Sequence, residues 1–169
     1  AQRAIAYERS VFVEANNNWP DFRSSAEPNE FMWSWCHGAP GILLSRQVIA
    51  DAGLADPQTA SEQQIARTST VAERTETAAH LCCGVLGLTT LLRSDAETAG
   101  CSLDPIVAQA ERKVFERAQR NGCYTFFSVD NGSLNLPGLL TGKAGVALAL
   151  LEAADGMRWL PGILSAGLL

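Results

Sequence analysis

The chain has 169 residues, 47% of them hydrophobic and 18% charged, with a formal net charge of −5. That composition suits one globular domain with a real core and argues against a disordered segment. The longest cationic feature is Glu111-Arg112-Lys113, too little for a phosphate backbone, and no apolar stretch approaches the ~20 residues of a membrane span.

Taken in chain order, nearly every segment reads as helix. Residues 2–15 place Ala4, Ile5, Val11, Phe12 and Ala15 on one face, and 16–30 read as a loop rich in Asn and Pro. A helix follows Cys36, opened by Pro40 in its first turn, with Ile42, Leu43, Val48 and Ile49 turned inward and Gly53 ending it. Asp56-Pro57 starts a polar helix to about Thr77, with Ile65, Thr68, Ala72 and Thr75 as its narrow stripe. From Val85 to about Arg93 the chain is strongly apolar. Asp104-Pro105 caps the next helix, where Val107, Ala110, Val114 and Ala118 recur at helical spacing until Asn121-Gly122. Tyr124 to Leu136 alternates around Asp130-Asn131-Gly132 and predicts a β-hairpin. A last long helix runs from Val146 to Ala154, before the short apolar Trp159-Leu160-Pro161. Apolar helices alternate with more polar ones, so the expected fold is all-α, an α/α toroid with the apolar helices as its inner layer. The chain begins at Ala1 in what reads as mid-helix, and the expectation is a fragment of a longer protein.

Three stretches share a pattern, Gly-x-x-Gly opening an apolar helix. They are Cys36-His37-Gly38-Ala39-Pro40-Gly41, Cys82-Cys83-Gly84-Val85-Leu86-Gly87 and Leu140-Thr141-Gly142-Lys143-Ala144-Gly145. Gly38 and Gly84 are 46 residues apart, Gly84 and Gly142 58, which is the spacing of a repeated helix pair. The first two copies carry cysteine before the first glycine and the third does not. Adjacent cysteines make a strained ring if bridged to each other, and five cysteines is an odd number, so a disulfide framework is the poorer reading.

Thiolates gathered from two repeats suit zinc, which prefers tetrahedral sulfur and nitrogen ligands. Each cysteine lies just before a helix N-terminus, where the dipole and free N–H groups favour a thiolate. Cys36, Cys82 and Cys83 would leave one coordination position open, as a catalytic zinc needs. So electron-rich a centre is a weak Lewis acid but keeps a bound thiol deprotonated and nucleophilic. Against this stands the reading of each cysteine as a small buried hydrophobe, and that of a closed structural zinc completed by His37. Cys101 and Cys123 lack the glycine context and read as ordinary residues. His37, beside Cys36, is a candidate proton donor or a backbone cap. His80 reads as a solvated residue or a supporter of the ligand pair, and Phe31, Trp33 and Trp35 as packing for the loop.

The motifs Trp35-Cys36-His37-Gly38-Ala39-Pro40-Gly41-Ile42 and Leu81-Cys82-Cys83-Gly84 resemble those of the lanthionine synthetase C-like cyclases. The likeness is nearest to the C-terminal cyclase domain of class II lanthipeptide synthetases. Tyr7-Glu8-Arg9, Asn18-Trp19-Pro20-Asp21 and Leu140-Thr141-Gly142-Lys143-Ala144-Gly145 agree with it. Cys83 stands where the family usually has histidine, so the chain resembles the Cys-Cys-Gly subgroup. The resemblance implies an α/α toroid holding zinc through Cys36, Cys82 and Cys83. The reaction it implies is addition of substrate cysteine thiols to dehydroalanine or dehydrobutyrine in a ribosomal precursor peptide with a leader, giving lanthionine and methyllanthionine rings. It further implies a cytoplasmic enzyme in which residues 1–169 are the C-terminal portion of a single cyclase domain. The upstream cyclase half, with the family's acid/base His and Asp, and a dehydratase domain would then precede it, and the fragment alone would be weak or inactive. The rival readings are zinc–thiolate alkyl transfer of the prenyltransferase kind, for which no pyrophosphate-binding basic cluster is visible, and a non-catalytic zinc-binding helical fragment that binds peptide or glutathione.

Overall fold

The computed structural model describes residues 2–23, 30–72, 78–126 and 136–155. Among these the elements are α1 (Gln2–Ser10), a 3-10 turn (Glu14–Asn16), β1 (Pro20–Asp21), β2 (Glu30–Phe31), α2 (Ala39–Asp51), α3 (Thr59–Ala72), α4 (Val85–Ala99), α5 (Asp104–Asn121) and α6 (Lys143–Asp155). The described residues are all-α apart from the antiparallel pair β1–β2, with Pro20 opposite Phe31 and Asp21 opposite Glu30. It divides into two compact units, 1–73 and 74–169.

In the first unit α2 packs on α3. The expected helix over 2–15 stops at Ser10, and the expected loop over 16–30 contains β1. Both differences have one cause. Phe12 turns to stack on Trp19 with ring centroids 4.6 Å apart, and Val13 pairs with Asn18 as an isolated bridge, which takes the chain out of helical geometry. The indole N–H of Trp19 then donates to the Glu8 carbonyl, 3.0 Å away, fastening the turn to α1. Helix α3 is opened by Asp56, whose Oδ1 accepts the N–H groups of Gln58 and Thr59 at 3.1 and 3.0 Å, while Asp56 N–H donates to Thr59 Oγ1 at 3.0 Å. This reciprocal cap satisfies donors that a helix start leaves open.

The stripe expected on α3 is corrected. Ile65 is half-buried and Thr68 and Ala72 are exposed, whereas Thr59, Glu62, Ala66, Ser69 and Thr70 are buried. Those five also recur at steps of three and four, one position off the apolar residues. They are buried because they have partners. Trp33 Nε1 donates to Ser69 Oγ at 3.0 Å, and Glu62 accepts from Arg9 at 2.5 Å and from Arg46 at 2.7 Å. Of the inward set on α2, Ile42 and Leu43 are buried and Val48 and Ile49 half-buried. The largest fully buried side chain there is Arg46, 1% exposed, held between Glu62 and Glu8. Burial pushes the Glu62 carboxyl up, but hydrogen bonds from Arg9 and Arg46 outweigh it and leave it below the ordinary range. A charge buried in this way is tolerable only because it is paired.

In the second unit α4 packs against α5 and α6. The core is Ala79, Leu81, Leu86, Val114, Phe126, Val146 and Ala149. Helix α4 ends in Gly100 at φ +64° and α5 in Gly122 at φ +70°, left-handed caps that favour glycine. Pro105 sits in the first turn of α5 as expected, with Leu103 rather than Asp104 at the cap position. Val107 and Val114 are buried, with Ala110 and Ala118 half-buried. The third buried position of α5 is Glu111, bound to Arg93 of α4 with Nη2–Oε2 at 2.5 Å. The expected hairpin over 124–136 falls largely outside the described residues, as do Thr75 and Trp159-Leu160-Pro161.

Candidate functional site

The three Gly-x-x-Gly segments are one structural device used three times. The first glycine of each precedes a helix, and its carbonyl accepts the N–H four residues on: Gly38 from Ile42, Gly84 from Leu88 and Gly142 from Val146, at 3.1, 3.4 and 3.4 Å. Each glycine also lies on the carbonyl oxygen six residues before it. Gly38, Gly84 and Gly142 face Met32, Ala78 and Leu136, and Gly41, Gly87 and Gly145 face Trp35, Leu81 and Leu139. A Cβ at any of the six would come within 2.9 Å or less of that oxygen. The spacing Gly-x-x-Gly is therefore the footprint of a loop folded back onto the first turn of its own helix. Cysteines in such a loop lie just ahead of a helix N-terminus, the positive end of the helix dipole.

In the first loop Ser34 and His37 close a tight turn through two backbone hydrogen bonds of 3.1 and 3.0 Å, with Trp35 and Cys36 at its tip. Cys36 Sγ lies 3.3 Å from Ser34 Oγ and is partly exposed. His37 is half-buried. It occupies the place before the glycine that Cys83 fills in the second loop. Nearby Asp21 feels its charge, though the main causes that hold the Asp21 carboxyl down at about 2 are hydrogen bonds from the Arg23 side chain and backbone. Trp33 packs the loop onto α3 as expected.

In the second loop Cys83 and Cys82 present their sulfurs 3.4 Å apart, both partly exposed. Neighbouring side chains seldom point the same way, and two further contacts make them do so. The Cys82 N–H donates to the Leu140 carbonyl of the third loop at 2.8 Å. The Cys83 N–H donates to Nδ1 of His80 at 3.1 Å. His80 is only 3% exposed, which rules out the solvated reading of it and leaves that of a supporter of the cysteine pair. Burial lowers its pKa, and Nδ1, as the acceptor of the Cys83 amide, carries no proton in this arrangement. Sequence inspection had no signal for that burial, since a histidine before a cysteine pair reads the same whether inside or out.

None of the five cysteines is joined in a disulfide. Cys101 is exposed beyond the α4 cap, and Cys123 contacts only the Asn121 carbonyl, 3.6 Å away, among the contacts described. Neither lies in a glycine loop. Among the described residues no helix is long and apolar enough to cross a membrane.

Repeated loops of this kind, two of them bearing thiols, thus open helices α2, α4 and α6. Residues 1–164 match the family of lanthionine synthetase C-like proteins, and the chain belongs to that family. Membership supports lanthionine-synthetase-like cyclase activity in general and a peptide substrate. Comparison with curated proteins gives no match.

Proposed function

We propose that this chain binds zinc through Cys36, Cys82 and Cys83 and serves the ring-forming step of lanthipeptide maturation. The observation that carries the reading is the vicinal pair Cys82–Cys83, its sulfurs 3.4 Å apart on a loop of the same construction as the one that bears Cys36. Soft thiol donors at helix N-termini suit zinc better than the harder divalent ions. Three protein ligands leave a fourth position for a thiol of the substrate, and zinc, when bound, keeps that thiol deprotonated near neutral pH.

The residues of the chain do the rest. The glycine loops hold the thiolates at helix ends, so the negative charge that accumulates there meets the positive ends of the dipoles. The substrate is a dehydrated precursor peptide with a leader. Its cysteine sulfur forms a bond to the β-carbon of dehydroalanine or dehydrobutyrine as the thiol proton departs, and the α-carbon gains a proton. His37, one residue from Cys36 and fixed by its backbone to Ser34, is our candidate for that proton donor. In the full enzyme an upstream cyclase half and a dehydratase domain supply the remaining parts, in the cytoplasm, with residues 1–169 as the C-terminal portion of the cyclase domain; the chain by itself is weak or inactive. Cys83 in place of the family's usual histidine points to the Cys-Cys-Gly subgroup of class II enzymes.

The test is metal content by mass spectrometry of single cysteine-to-alanine variants, with cobalt substituted for zinc to read the open position. Loss of metal on replacing Cys36, Cys82 or Cys83, retention on replacing Cys101 or Cys123, and a shift of the cobalt spectrum on adding a small thiol are expected. Equal loss at Cys101 or Cys123 would sink the ligand set. A spectrum indifferent to thiol would mean a closed structural site.

A further inference from the structure

The three glycine loops are not all closed by the same bond. In the second loop the N–H after the first glycine, that of Val85, donates directly to the Ala78 carbonyl seven residues back, at 2.9 Å. In the third, Lys143 N–H does the same to the Leu136 carbonyl at 2.8 Å. The counterparts in the first loop are Ala39 N–H and the Met32 carbonyl, and a side chain stands between them. Asn18 Oδ1 accepts the Ala39 N–H at 2.6 Å, and Asn18 Nδ2 donates to the Met32 carbonyl at 3.1 Å. The carboxamide has one acceptor and one donor edge, so it relays the missing backbone bond without leaving either peptide group unsatisfied.

Asn18 is built in firmly. It is 0% exposed, its Oδ1 accepts the Trp19 N–H as well at 2.8 Å, and its backbone pairs with Val13 on both sides. The backbone differs along with the bond. In the loop closed through the carboxamide Gly38 is at φ +71°, whereas Gly84 in the directly closed second loop keeps an extended φ of −115°. A Cβ on Gly38 would meet Asn18 Oδ1 at 2.8 Å as well as the Met32 carbonyl, so this position is glycine on two counts. Cys36 lies within the ring so closed, four residues after Met32 and three before Ala39.

We propose that Asn18 is a positioning residue for the metal-binding thiol of the first loop: its carboxamide, wedged between Met32 and Ala39, sets the loop width that places Cys36. The proposal rests on the reading of Cys36 as a ligand only for its consequence on metal affinity. Its geometric content, that Asn18 governs the environment of the Cys36 thiol, stands apart from that reading.

Three variants of the full chain test it. Asn18→Asp keeps the shape and the acceptor but turns a carboxylate toward the Met32 carbonyl. Asn18→Ala removes both bonds. Trp19→Phe loosens the same segment by removing the indole bond to Glu8 and leaves the carboxamide alone. In metal-free protein the alkylation rate of each cysteine by iodoacetamide is read by mass spectrometry. The Cys36 rate is expected to change by about tenfold in both Asn18 variants, with Cys82 and Cys83 as in wild type, and zinc affinity to fall by about tenfold or more, the usual cost of losing a ligand's support. Trp19→Phe should lower thermal stability while leaving the Cys36 rate and zinc affinity unchanged. An unaltered Cys36 rate in a folded Asn18 variant overturns the proposal. Should neither variant fold, the wild-type chain decides: fast hydrogen exchange at the Ala39 amide and the Asn18 carboxamide overturns it, and strong protection at both supports it. A wild-type chain without zinc affinity would overturn the metal reading while the alkylation result still judged Asn18.

Discussion

His80 Nδ1 accepts the amide proton of Cys83 at 3.1 Å, three residues along the chain, from an imidazole that is itself buried. The bond needs only an acceptor at that point. Asparagine, whose Oδ1 lies near where Nδ1 of histidine lies, should replace it, and leucine should not. His80→Leu leaves the Cys83 N–H without its partner and is expected to cost about 1–3 kcal/mol in denaturant unfolding. His80→Asn should recover most of that. Equal stability of the leucine variant and wild type would show that the bond contributes nothing.

Glycine replacements separate steric demand from backbone strain. Gly87→Ala drives a methyl group into the Leu81 carbonyl, backbone against backbone, with no side chain to swing aside. Gly100→Ala meets nothing within 4 Å and suffers only from its left-handed φ of +64°. The second should cost about 1–2 kcal/mol. The first should cost distinctly more and open the second loop, seen as faster exchange of the Cys82 amide. Equal costs would mean the loop shifts freely.

Arg46 tests the buried ion pairs. Replacing it by Met leaves Glu62 and Glu8 facing each other's field without it, and a loss of about 3–5 kcal/mol is expected in thermal or denaturant unfolding. Neutralising Glu62 in the same molecule (Arg46→Met with Glu62→Gln) should return part of that loss. Additive effects in the double-mutant cycle would argue that the pair is uncoupled.

Acid should reveal Asp21. Its folded pKa lies at about 2, below the ordinary 3.8, so the unfolded chain binds a proton there more readily than the folded one. The stabilisation is present in full above about 4 and is lost as pH falls from there toward 2. Asp21→Asn should flatten that part of the stability–pH curve. An unchanged slope between pH 4 and 2 would place the acid sensitivity elsewhere.

What could be read without coordinates was what is local. Pro40, Pro105, Gly122 and the Gly-x-x-Gly spacing act within a turn or two of themselves, and α2 and α5 lie where they predicted, while α4 runs on past Arg93 to Ala99 and α6 begins at Lys143 rather than Val146. The polar interior was out of reach. On α3 the apolar residues pointed to Ile65 and Thr68, but the buried stripe runs through Glu62 and Ser69, whose partners come from α1, α2 and the first loop, and through Thr70, whose hydroxyl donates to the Ala66 carbonyl of its own helix. No periodicity marks a glutamate as buried until its arginine is known. Asn18 and His80 are the same case at the candidate site. Each is an ordinary polar residue in sequence, and each binds an amide of a glycine loop, Asn18 that of Ala39 and His80 that of Cys83.

The third loop has no thiol, yet Leu140 offers its carbonyl to the amide of Cys82. A copy of the motif without the ligand thus serves as a buttress, and it does so through its main chain. Such a unit is invisible to a search for ligand residues and indispensable to the neighbour that has them. Shortening the chain ahead of Leu136 would leave every cysteine in place and take away the wall against which the second loop is set.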